Sequence, residues 1–241
     1  YYKSCKDEWE APNREYRELD LNDPNFFPEY KLLIERSQET IIQQLQAIKQ
    51  QLESGTVPTA DLTFGQGRAL VFDRHLYQPL LYAEGGDIEI KPVALNMGEK
   101  KFIEDLREFY IGATDYFKDK ELYLLRNMSK GRGVGFFEAG NFYPDFVLWV
   151  LDEKQQSIAF VDPKGIRNLH AGDPKIQFYQ TIKTIATQHG DPDVTRNSFS
   201  LSNTPDHLIT HWHQRLEKAT FIPKHTLFQY TATHPTPRVH I

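Results

Sequence analysis

Apolar positions along the chain change spacing several times, and each change marks an element. From Glu29 to Glu53, Ile34, Ile41, Leu45, Ile48 and Leu52 recur three and four apart. That is the stripe of one long amphipathic helix, with Pro28 near its start and Gly55 past its end. Its glutamine-rich opposite face (Gln43, Gln44, Gln46, Gln50) reads as solvated. Short strand-like runs follow at 69–72, 79–82 and 88–90, with Gly85-Gly86-Asp87 as a turn signal between the last two. A second helix is expected after Asn96, carried by Phe102, Ile103, Leu106, Phe109 and Tyr110 and ended by Gly112. Glu99 falls in its first turn, where the helix dipole favours a carboxylate.

The spacing then shortens to two. Residues 121–126 (ELYLLR) predict a strand, and the Gly-rich NMSKGRGVG reads as a mobile turn. It lacks the Gly-Lys-Ser/Thr ending of a nucleotide loop, so this stretch predicts no ATP site. Residues 141–166 (NFYPDFVLWVLDEKQQSIAFVDPKGI) carry two apolar arms around the polar centre 152–156, a β-hairpin. Phe146, Leu148 and Val150 alternate with Val147, Trp149 and Leu151. Both faces are therefore apolar, which predicts central strands covered by helices on both sides. Asp173-Pro174 opens a helix running to about His189 with Ile176, Tyr179, Ile182, Ile185 and Ala186 on its apolar face. A strand at 198–202, a helix at 205–218 and a closing strand at 227–230 complete an α/β sandwich.

Three charges interrupt the hairpin arms: Asp145, Asp162 and Lys164. Pairing Leu151 with Ile158 sets Asp145 opposite Lys164, with Asp162 diagonally across, and all three on one face. Such neighbours lie roughly 5–8 Å apart. Two carboxylates that close can share a hard divalent cation, with an ammonium beside it. Cutting a phosphodiester needs those parts: Asp145 and Asp162 as ligands, the Pro163 carbonyl as a third, and Lys164 to orient water and offset charge on phosphate. Glu99 is the candidate acid from the preceding helix, with Glu104 and Glu138 as rivals. Arg126, Lys130 and Arg132 before the hairpin, and Gln177 after it, are candidates for positioning phosphate or water, and Arg167 and Lys175 add basic charge nearby.

Composition narrows the class. The chain has 241 residues, 39% hydrophobic and 13% aromatic, enough for a proper core. A net charge of −5 argues against a protein that coats nucleic acid, although local charge decides where phosphate binds. The single cysteine, Cys5, excludes an internal disulfide and predicts a cytoplasmic setting. No apolar run reaches the roughly 20 residues of a membrane span. A chain opening on Tyr1 is expected to be part of a longer polypeptide. His207, His211 and His213 lack the cysteines or the intervening Glu of a zinc site and are expected at the surface.

Pro144-Asp145, followed at hairpin distance by Asp162-Pro163-Lys164, resembles the PD-(D/E)xK nuclease superfamily. More narrowly, LYQPLL (76–81), LNMGEKKFIEDL (95–106), FYPDFVLWV and HTLFQ (225–229) are similar to the C-terminal endonuclease regions of type III restriction subunits and related DEAD/DEAH helicase–nucleases. The resemblance covers residues 70 to 230 in order. It implies a restriction endonuclease-like fold, with a central mixed sheet flanked by helices on both faces. It also implies DNA cleavage with Mg²⁺, for which Mn²⁺ can substitute, and an ATP-driven helicase motor in the same polypeptide or a partner subunit. Asp145, Asp162 and Lys164 carry over as catalytic, and Glu99 as the helix acid. The middle acid is Asp where Glu is common, and Pro163, which lacks a ladder donor, is expected at a β-bulge. The chain divides into an arm (1–28), the long helix with a small β appendage (29–93), the nuclease core (94–231) and a tail (232–241). Two other expectations stand beside this one: a catalytically silent domain of the same fold that binds DNA or scaffolds the motor, and a nuclease acting on RNA or branched DNA.

Overall fold

The computed structural model describes residues 31–54, 60–75, 80–91, 94–128, 134–136, 142–153, 155–163, 173–189, 192–202 and 226–228. The expected arm, tail and 205–218 helix lie outside them.

The chain is a mixed α/β protein built on a five-stranded sheet. Strands β6 (Lys120–Arg126), β7 (Phe146–Asp152) and β8 (Gln155–Asp162) form an antiparallel meander, and β9 (Val194–Ser202) and β10 (Thr226–Phe228) add parallel to it. The order β10-β9-β8-β7-β6 places the hairpin strands inside the sheet. Helix α2 (Met97–Gly112) covers one face: its Phe102, Ile103 and Leu106 pack on Leu122, Leu124, Phe146, Leu148, Val150 and Val161. Helix α4 (Pro174–His189) covers the other, with Phe178, Ile182 and Ile185 against Leu125, Val147 and Phe160. The alternation read in the hairpin is therefore the alternation between two cores.

The hairpin register differs from the expected one. Leu151 pairs with Gln156 and Val147 with Phe160, two residues away from the Leu151–Ile158 pairing. The ladder runs to Asp152↔Gln155, which leaves only Glu153 and Lys154 to connect the arms. A two-residue connection matches the twist of antiparallel strands and adds ladder pairs that a six-residue one would forgo. The shift is even, so every side chain keeps its face. The bulge expected at Pro163 is also absent. Strand β8 ends at Asp162, and Pro163 follows the last paired residue, where no ladder donor is needed.

The N-terminal half corrects the long helix. Lys31–Ile34 is a strand, β1, paired antiparallel with β5 (Ile88–Lys91), and helix α1 spans only Glu39–Glu53. Ile34 satisfied the helical spacing by coincidence, because the partner that makes this segment a strand lies more than fifty residues away. Strands β2 (Leu62–Phe64), β3 (Gly67–Leu70) and β4 (Leu80–Ala83) form a separate three-stranded sheet. The Gly85 turn thus joins strands of two different sheets, with Gly85 at φ +80°. Ile41 of α1 packs with Phe64, Leu81, Ile88 and Ile90 in a core of its own. A short helix, α3 (Thr114–Phe117), precedes β6 and delivers Phe117 to the α2-side core. Among the described residues, no helix is long and apolar enough to cross a membrane.

Candidate active site

The site forms where four elements end together. Strand β6 delivers Arg126 and then Asn127, and Pro144 and Asp145 immediately precede β7. Asp162 ends β8, and Asn96 with Glu99 opens α2. Phe146 pairs with Val161, and Asp145 and Asp162 are the chain neighbours of that terminal pair, Asp145 at a bend just outside β7. Asp162 also pairs with Ser200 of the parallel strand β9. It therefore stands at the carboxyl end of a parallel pair, where open α/β sheets commonly bind ligands. Asp162 is buried, at 5% exposure, whereas Asp145 remains partly open. The β7–β8 register is two residues away from the one that would set Asp145 opposite Lys164. Lys164 itself lies outside the described residues.

Local sequence explains Glu99. Asn96 caps α2: its side chain accepts from the Glu99 N–H at 3.0 Å, while Glu99 Oε2 accepts from the Asn96 N–H at 2.8 Å. The other oxygen, Oε1, accepts from Arg126 Nη2 at 3.0 Å. Both side chains are 4% exposed. Burial and the nearby Asp145 charge push the Glu99 carboxyl above its ordinary range, against the opposing pull of Arg126 and the Asn96 N–H. The helix acid is therefore close to Asp145, but protein donors hold both of its oxygens. Glu104 lies elsewhere on the helix, half-exposed and paired with Lys100 at 3.9 Å. Among the described residues, no three His, Cys, Asp or Glu side chains are grouped to hold a metal ion.

Arg126 is the centre of this arrangement. Its Nη1 donates to the Asp145 carbonyl oxygen at 2.9 Å and lies 3.6 Å from Asp145 Oδ1. Its guanidinium carbon stands 4.8 Å from the centre of the Phe146 ring, a cation–π stack. The Arg126 backbone N–H donates to Nε2 of buried His75 at 3.2 Å, which brings in the loop before LYQPLL. A phosphate-positioning residue needs a fork free for the substrate. The Arg126 fork is instead committed to Glu99 and Asp145.

Sequence reasoning missed Asn127. Its Nδ2 donates to the Pro144 and Val134 carbonyl oxygens at 2.7 and 2.8 Å, and its Oδ1 accepts from the Val134 N–H at 2.9 Å. Its own N–H donates to the Asp145 carbonyl at 2.8 Å. One buried amide and its own backbone N–H thus hold Val134 and the Pro144-Asp145 backbone. Phe136 and Phe142 form an antiparallel bridge, and both rings pack on Phe178 of α4. The only advance signal for Asn127 was a small amide at the boundary between a strand and a glycine-rich stretch.

Asn96, Glu99, Arg126, Asn127, Tyr143 and Asp145 line an open polar cleft of about 240 Å³. Asp162 is not part of that lining. Gln177 sits half-buried in the first turn of α4, where its N–H donates to the Asp173 carbonyl. Tyr179 is half-buried on the same helix, and the Lys175 ammonium lies 6.0 Å from the centre of the Phe142 ring. Lys130, Arg132, Glu138, Arg167, the three histidines of 207–213 and Cys5 lie outside the described residues. No protein-family model matches this chain, and no curated protein or solved structure matches it.

Proposed function

We propose that this chain is a Mg²⁺-dependent endonuclease domain of restriction endonuclease-like fold that hydrolyses DNA phosphodiester bonds. In this reading it works in the cytoplasm beside an ATP-driven helicase motor. The observation that supports the proposal is the hairpin register, whose terminal pair Phe146↔Val161 has Asp145 and Asp162 as its chain neighbours, with Asp162 at the carboxyl end of a parallel strand, two residues before Lys164. The donors suit the ion. Mg²⁺ keeps several waters and needs only one or two carboxylates, so Asp145 and Asp162 with the Pro163 carbonyl would hold it without Glu99. Bound there, Mg²⁺ would polarise the phosphoryl oxygen and make water a better nucleophile. Lys164 would hold that water in line and offset charge on the phosphate. Asn127 and Arg126 would fix the Asp145 backbone, so that its carboxylate does not have to be ordered when substrate binds.

A second reading, a catalytically silent DNA-binding or scaffolding domain, is favoured by one observation: both Glu99 oxygens accept from protein donors. Plasmid nicking in Mg²⁺ separates the two, comparing the parent with Asp162→Ala and Lys164→Ala. Nicking by the parent and loss in both variants is the expected result, and equal cleavage by all three would remove the proposed site. A parent that nicks nothing, even joined to its motor, would favour the silent domain. The same assay on RNA and on forked DNA addresses the remaining substrate classes.

A further inference from the structure

We infer that Tyr143 is a stacking platform for one unpaired base of a DNA strand, in the cleft lined by Asn96, Arg126 and Asn127. The inference rests on the function proposed above only for its substrate, DNA. The ring is held in place before any ligand arrives. Asn127 clamps Val134 on one side and Pro144 on the other, and the Phe136 and Phe142 backbones exchange hydrogen bonds of 2.8 and 3.0 Å. Gly135 and Tyr143 thus lie between fixed neighbours on facing segments, and they touch. A Cβ built on Gly135 would overlap the Tyr143 ring, nearest to Cε1 and 2.7 and 2.8 Å from the flanking Cδ1 and Cζ. An atom approaching the ring by its edge would lie much further from the flanking carbons than from Cε1. The Gly135 backbone therefore covers a face of the ring, which a residue with a side chain could not do. Tyr143 is half-buried and lines the cleft, so it offers the cleft an aromatic ring already backed by main chain.

Charge and size select the ligand. Among the described residues of the lining, Arg126 is the only cation, and its fork is bonded to Glu99 and to the Asp145 carbonyl. An incoming phosphate would meet two carboxyl groups and a guanidinium committed to them. An uncharged planar ring meets no such opposition. The cleft, at about 240 Å³, is below the roughly 300–1,000 Å³ of pockets for drug-sized ligands and suits a single base. Inside a duplex both faces of a base are covered by its neighbours, so Tyr143 can stack only on a base splayed out of the helix. The substrate class narrows accordingly to single-stranded or locally opened DNA.

Fluorescence anisotropy of a labelled single-stranded oligonucleotide, mixed with the full chain in excess chelator, measures binding without cleavage. Tyr143→Ala is expected to raise the Kd roughly ten-fold, and Tyr143→Phe to leave it near wild type. The loss should be equal at low and high salt, because no phosphate contact is removed. Gly135→Ala, which pushes the ring aside, should weaken binding by the wild-type chain but add nothing to Tyr143→Ala. Should these variants not fold, photocrosslinking of the wild-type chain to a bromodeoxyuridine strand serves instead, with Tyr143 as the expected attachment point by mass spectrometry. An unchanged Kd in a folded Tyr143→Ala protein overturns the inference, as do crosslinks only at other residues or a wild type that binds no single-stranded DNA. The nuclease reading survives that result if the parent nicks plasmid and Asp162→Ala does not. Conversely, binding that depends on Tyr143 without any nicking keeps the stacking subsite and favours the silent domain.

Discussion

The Asn127 side-chain amide donates to the carbonyl oxygen of Pro144 at 2.7 Å, seventeen residues along the chain. With the two bonds to Val134, this makes a buried amide a clamp on the residue preceding a proposed metal ligand. Asn127→Ala would strand two carbonyls and an N–H with no replacement partner, and should cost about 2–4 kcal/mol in urea denaturation. Asn127→Asp should be no better, because it aims an acceptor at two carbonyl oxygens. A loss below about 0.5 kcal/mol for either would mean that water satisfies the connection equally well.

Glu99 makes a pH prediction with a definite sign. Its folded pKa lies above the ordinary 4.5, chiefly from burial, so the folded state binds the proton more tightly than the unfolded state. Its contribution is fully present below 4.5 and is lost as pH rises through the folded pKa. Wild-type stability should therefore fall with rising pH just above 4.5 relative to Glu99→Gln, whose profile lacks this component. Parallel profiles for the two proteins across that window would refute it.

Asp61 behaves in the opposite sense. Burial opposes its ionisation, but Arg107 and the Val71 N–H override burial and hold the carboxyl below its usual 3.8. Arg107 reaches it with two bonds of 2.7 and 3.1 Å, tying the segment before β2 to α2. The pair's stability is present above 3.8 and disappears as pH falls through the depressed folded value. Asp61→Asn should cost about 1 kcal/mol at pH 7, the pair being partly exposed, and the difference should shrink in acid. Thermal melts at pH 7 and pH 3 measure both numbers.

Metal dependence follows from the proposed donors. Chelation should abolish nicking, and Mg²⁺ or Mn²⁺ should restore it. Asp145→Asn should lower kcat by about 10²–10³-fold with an unchanged circular dichroism spectrum. Full activity in excess chelator would exclude the mechanism.

The sequence determined whatever depends on neighbours within about a turn of chain. Asn96 and Glu99 are three apart, so the cap of α2 was readable. Asp173-Pro174 marked the start of α4, and the hairpin's alternation showed that its strands would be covered on both faces. Tertiary structure decided whatever needed a distant partner. Lys31–Ile34 became a strand because β5 lay beside it, and the hairpin slid by two residues to gain ladder pairs around a tighter connection. The same holds inside the site. Nothing around position 126 announces that its guanidinium will lie between a helix cap and the start of β7. Nor does residue 127 announce that its amide will hold Val134 and Pro144 together. The candidate acids were named from residue type and spacing, whereas the contacts that Arg126 and Asn127 make around them could not be, because burial and long-range hydrogen bonds act only once the sheet and its helices have closed.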